Sequence, residues 1–392
     1  MNDESFRAAV LRAHGARGRE VDELLAYTRN VFVIPDRSST CNSAASDEPF
    51  VTAWERYAAE AEQIGAAECL RRRLVQLRFP IVEGTSASAA YRAATRRGEL
   101  NSLPCDGGVT FERPDELRIL VHPTAAGRMP VVVTGARADF VSLVRALVHR
   151  NEPVGVPDSM GACIVAGYNN WDRIAALRAR WIREQGGNRS AGRWVEEFRR
   201  LVPMTELYQD SFILLSSGPY SAVPAFAMAL DEHEWLALSL TIRLEHECAH
   251  YVTRRVLGSM RNALLDELIA DYMGIAAAVG RFRADWFLRF MGLERFPHYR
   301  RGGRLENYRG EPPLSDGAFM VLSSVVRAAA ERLEHFDSRR PCGEWGAQRS
   351  ATMIVALAEL GLERLASSRG AELLGSIARD VDRKGGAQMT PA

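Results

Sequence analysis

The stretch Leu244-Glu245-His246-Glu247-Cys248-Ala249-His250-Tyr251 sets His-Glu-x-x-His inside a segment with helical hydrophobic spacing. Each helical residue turns about 100°, so His246 and His250 stand roughly 40° apart on one face. Glu247 falls on the flank of that face. Two imidazoles and a carboxylate then point into one space, where a divalent ion, usually zinc, can take one nitrogen from each histidine. Glu247 stays off the ion, placed to act as general base on a water molecule. The pattern is one for metal-assisted hydrolysis. The helix is expected to start at Asp231 as N-cap and to run to about Leu257, with Gly258 closing it. Cys248 and His233 lie on its other side, as a core thiol and a surface histidine.

A zinc site of this kind needs a third protein ligand. Asn262 to Gly274 reads as a second helix in which Glu267 and Asp271, four apart, share a face. Gly274 continues that face, and its missing side chain lets the second helix come close to the first. Gly258-Ser259-Met260-Arg261 supplies the turn, with Ser259 or Asn262 as the next cap. The chain therefore reverses and returns Glu267 to the histidines as third ligand. Asp271 is expected behind them, fixing the tautomer of His246.

The order H-E-x-x-H then E-x-x-x-D, carried by His246, Glu247, His250, Glu267 and Asp271, resembles the gluzincin zinc metallopeptidases, the thermolysin-like proteins in the wide sense. The resemblance covers residues 231–280. It implies an α+β fold with a zincin-like core, a small sheet plus the metal-binding helix pair, one zinc ion, and a peptide or amide substrate. Asp266 stands where that group often has asparagine, and sixteen residues separate His250 from Glu267. The segments from Met160 to Asp172 and from Ser217 to Pro224 also look like those of uncharacterised bacterial proteins with the same motif. In gluzincin-like sites a downstream histidine or tyrosine binds the developing oxyanion, and His298, Tyr299 and Tyr308 are the residues available here. In zincin folds the strand ahead of the metal-binding helix can lie along the cleft and pair with an extended peptide. Phe212 to Ser217 has that position, as a cleft edge or as an interior strand, and Tyr220 beyond it is a further candidate for the oxyanion.

At 392 residues and 47% hydrophobic content the chain can bury a large core and is not disordered. A formal net charge of +1 gives no field to attract nucleic acid or an anionic membrane. Six cysteines without a C-x-x-C pair argue against a zinc ribbon or a disulfide framework and for a reducing compartment. No apolar run of about eighteen residues occurs, and Met1 to Arg7 does not open a secretory leader. The expectation is a soluble cytoplasmic protein.

Residues 1–102 read as a mainly helical region, with helical patterns over 4–29 and 48–78 and a polar loop within 30–48 that could gate the site. Residues 103–340 read as the catalytic core with the metal site at 231–280, and 341–392 as a C-terminal helix and tail. Strands are expected at Leu117 to His122, Pro130 to Thr134 and Gly161 to Gly167. The turn after the last holds Asn169 and Asn170, which could contact a polar ligand or cap the following helix. Arg254, four residues past His250, could hold a substrate carboxylate or pair with Asp266, Glu267 or Asp271.

Two other functions compete with the hydrolase. Glu247-x-x-His250 also satisfies the E-x-x-H element of di-iron bundles, which Glu331 and His335 could join. Alternatively the zinc is structural, or the protein binds a peptide as a regulator, although such a site has no use for Glu247.

Overall fold

The apolar runs between residues 117 and 216 form one four-stranded sheet in this computed structural model, which describes residues 3–34, 46–99, 107–185, 193–260, 263–340 and 346–386. The strands β1 (Arg118–Thr124), β2 (Gly127–Thr134), β3 (Ala162–Asn169) and β4 (Gln209–Ser216) lie in the order β1-β2-β4-β3. Val131 of β2 pairs in parallel with Ile213 of β4, and Ile164 of β3 pairs with Ile213 in the antiparallel sense. Parallel neighbours need a crossover, and the helix Arg137–Leu147 lies within it. β4 is thus an interior strand. Both of its edges are occupied, so of the two readings of this segment, a cleft edge or an interior strand, the structure shows the second. The outer strands are β1 and β3.

The chain is α+β and mostly helical, and it divides into two compact units. One comprises 47–123 and 127–218 and holds the sheet. The other comprises 1–46, 124–126 and 219–392. Residues 1–102, read from sequence as one region, are divided between them, as are residues 103–340.

In the sheet unit, Trp54 and Tyr57 of the helix Val51–Ile64 and Phe140 and Leu143 of Arg137–Leu147 are buried with Val132, Phe212 and Leu214. One carboxylate is enclosed with them. Asp210 accepts hydrogen bonds from Trp54 Nε1 at 2.8 Å and Asn170 Nδ2 at 2.6 Å and pairs with Arg173. Asn170 also caps the helix Trp171–Glu184, and Asn169 accepts from the Gln209 side chain. Asn170 is therefore structural, both ends of its amide being used inside this unit, and the Asn169 side-chain oxygen is likewise taken by Gln209.

The second unit is built from helices. The single helix expected within 341–392 is three: Ala347–Leu360, Leu362–Ala366 and Gly370–Gly386. Gly361 between the first two has φ +77°, a backbone state that stops a right-handed helix and that glycine adopts without penalty. The two site helices run Glu232–Leu257 and Ala263–Val279. Asp231 caps the first by accepting from the Glu234 amide at 2.8 Å, and Gly258 ends it in the left-handed conformation. A Cβ on Gly274 would lie 2.5 Å from the carbonyl oxygen of Ile242, so only glycine permits this approach of the two helices. Leu268, Ile269, Tyr272 and Ile275 are fully buried on the second helix. Among the described residues no helix is long and apolar enough to cross a membrane. Residues 35–45 of the expected polar loop, the cap candidate Asn262 and the tail beyond 386 lie outside the described residues.

Cys69 is buried in the sheet unit, and burial together with the Glu60 carboxylate pushes its thiol from 9.0 up to about 11. Only the thiolate is alkylated, so a rise of this size lowers the reactive fraction at pH 8 by about 100-fold. Iodoacetamide labelling followed by peptide mapping should leave Cys69 unmodified at pH 8 in the native protein and label it in urea. Native labelling at the denatured rate would contradict the burial.

Candidate metal centre

Helix geometry turns His246 and His250 toward one point and the second site helix brings Glu267 to meet them. The two Nε2 atoms are 3.0 Å apart, and Glu267 offers Oε2 at 3.7 Å from His246 Nε2 and Oε1 at 3.5 Å from His250 Nε2. Ligands about 2.0–2.1 Å from a tetrahedral zinc ion stand about 3.3 Å from one another. The three separations bracket that value. Among the described residues this is the one group of three or more potential ligands at metal-binding spacing.

A carboxylate backs each histidine. Asp271 Oδ1 lies 2.8 Å from His246 Nδ1, and Asp266 Oδ2 lies 2.9 Å from His250 Nδ1. With Nδ1–H donated outward, each imidazole directs its Nε2 lone pair at the centre. The Tyr220 hydroxyl joins on the far side of His246, 2.9 Å from Nδ1, and donates to Asp271 Oδ1 at 2.6 Å. Arg304 closes the network. It donates to Asp271 Oδ2 at 2.5 Å, to the Tyr220 hydroxyl at 2.8 Å and to Ser221 Oγ at 3.1 Å, and it stands 3.4 Å from Glu267 Oε2.

These contacts make the centre a place for positive charge. Burial opposes a charge on His250, yet the Asp266 and Glu267 carboxylates outweigh it and hold its pKa well above the ordinary imidazole value. Burial likewise opposes charge on Glu267 and Asp271. His250 with His246 and Arg304 outweighs it for the first, and Arg304 with His246 for the second, so both carboxyls stay below their usual range. Among the described residues three carboxylates, Asp266, Glu267 and Asp271, stand in contact with the centre against one guanidinium.

Glu247 is half-buried and has no hydrogen bond or ion pair among the described residues. Of the candidates for the oxyanion, Tyr308 is a wall residue of the cleft that Asp266 and Glu267 also line. Tyr220 does not face the centre; its hydroxyl is fixed on the Nδ1 side of His246, which makes it a positioning residue. His298 is exposed, and Tyr299 is committed elsewhere, donating to the Gly303 carbonyl at 2.5 Å and packing on Phe319. Arg254 is exposed and pairs with none of Asp266, Glu267 and Asp271, the role that Arg304 takes instead. Glu331 and His335 are exposed, and Glu331 pairs with Arg327, so neither joins the metal group. Two residues of the site escaped sequence reasoning. The sequence marks Asp266 as a departure from asparagine and a candidate partner of Arg254, not as the support of His250, and Arg304 opens a short 3-10 turn, Arg304–Tyr308, with no periodicity to locate it.

The profile of a family of unknown function (DUF7005) matches residues 9–369. The chain belongs to that family. No curated protein and no solved structure matches it. The span shared with the family contains every residue of the metal centre.

Removing the charge behind a ligand histidine weakens a metal site typically 10–100-fold. Asp271→Asn and Asp266→Asn should each lower zinc affinity within that range, measured by competition with a chromophoric chelator. Affinity unchanged in both would show that neither carboxylate tunes the histidines.

Proposed function

We propose that the protein is a zinc-dependent hydrolase of the zincin type that cleaves a peptide or other amide bond. The observation that carries this reading is the convergence of His246 Nε2, His250 Nε2 and Glu267 at 3.0–3.7 Å, with both Nδ1 atoms held by carboxylates. Zinc bound there would act as a Lewis acid on the substrate carbonyl and make water acidic enough to ionise near neutrality.

The chain's own residues supply the proton traffic. Glu247, one residue from His246 and three from His250, is free of partners and accepts a proton from the attacking water. It returns that proton to the departing amine. Asp271 and Asp266 hold Nδ1 of the two histidines, so that Nε2 is the atom each ring would offer to a metal, and Arg304 with Tyr220 holds Asp271 in place. Of the candidate oxyanion donors, Tyr308 shares a cleft wall with Glu267.

A purely structural zinc site gains nothing from a half-buried carboxylate without a partner at position 247, which favours catalysis over the regulatory alternative. Cys69, Cys163 and Cys248 form no disulfide, which suits the cytoplasm as the working compartment. Against a peptide library, Glu247→Gln should lower turnover by about 10²–10⁴-fold and leave zinc content at the wild-type level. Undiminished turnover in that variant would remove Glu247 from the mechanism.

A further inference from the structure

Beside the metal centre, and within the helical unit, a cleft of about 660 Å³ opens between Tyr27, the loop from Glu306 to Glu311 and the start of the second site helix. It shares Asp266 and Glu267 with the centre. We propose that this cleft receives a cationic group of the substrate, an ammonium or a guanidinium. The proposal rests on the hydrolase reading for the word substrate, but its charge preference can be measured without catalysis.

Asp266 is the strongest argument. The residue is 2% exposed; its Oδ2 is taken by His250, whereas Oδ1 is buried with no hydrogen-bond partner. A buried carboxylate oxygen without a donor is costly, and the group it lacks is an N–H donor, best a charged one. Glu306 and Glu311 add two exposed carboxylates that have no side-chain hydrogen bond or ion pair among the described residues.

Among the described residues the lining contains one cation, Arg309, and it is already committed. Its guanidinium pairs with Asp316 at 2.5 Å and lies 4.6 Å from the centre of the Phe319 ring. Two half-buried tyrosines complete the wall, Tyr27 donating to the Tyr308 carbonyl at 2.6 Å. Aromatic faces next to carboxylates suit an organic cation. A second metal ion fits less well. The carboxylates of the cleft form no group at ligand spacing apart from the His246, His250 and Glu267 set.

Four probes test the proposal by calorimetry at low ionic strength: N-acetyl-arginine amide against N-acetyl-citrulline amide, and leucine amide against N-acetyl-leucine amide. At least one cationic probe should bind about tenfold or more tightly than its neutral partner. That preference should shrink below about threefold in Glu306→Gln/Glu311→Gln and in high salt, as expected for exposed charges. The first pair reports a basic side chain and the second a free α-amino group. Equal affinities within both pairs, no binding by any probe, or a preference untouched by the double substitution would overturn it. Zinc-loaded and chelator-treated samples are run side by side with zinc content measured. Charge preference in a protein that never takes up zinc would sink the hydrolase reading and keep the cation cleft; zinc uptake without charge preference would do the reverse.

Discussion

Two imidazole nitrogens held 3.0 Å apart, each backed by a buried carboxylate, are stable together only with positive charge between them. The rest of the helical unit serves that condition. Glu267 faces the same point, Asp266 and Asp271 are enclosed behind the rings, and Arg304 is the single cation that the protein itself supplies. Without added positive charge the raised pKa of His250 expresses the same demand through a proton. A divalent ion meets it more completely, because one charge centre then satisfies both Nε2 atoms and Glu267 together.

Close approach of two helices makes this possible. The first carries both histidines one turn apart, and the second must come near enough for a glutamate of modest reach to join them. Gly274 permits that approach at the Ile242 carbonyl, and Gly258 in the left-handed state turns the chain between the helices. Large apolar side chains on the second helix, Leu268, Ile269, Tyr272 and Ile275, bury its remaining faces and hold it there. Charges at the centre are paired before they are buried, so the packing does not have to offset an isolated ion.

The helix pair was legible because its signals are local: a cap at Asp231, a stop at Gly258, and ligands at a spacing of four on regular helices. The four strands were legible from their β-branched runs. What periodicity could not supply was contact between distant segments. Arg304 acts from a short 3-10 turn, where no repeat fixes the direction of a side chain, and its partner Tyr220 was placed near the site but on the wrong side of His246. Asp266 lies one helical step from Glu267, a position from which the pattern alone does not select His250 Nδ1. Sheet order was equally hidden, since the pairing that makes β4 interior depends on a crossover rather than on β4 itself.

The central claim is that His246, His250 and Glu267 hold one metal ion, and elemental analysis of purified protein tests it most directly. The account predicts one equivalent of zinc in the wild type and its loss in both His250→Ala and Glu267→Ala, with each variant still folded by circular dichroism. Wild-type protein that remains free of zinc after supplementation, or that carries two iron atoms, would contradict it.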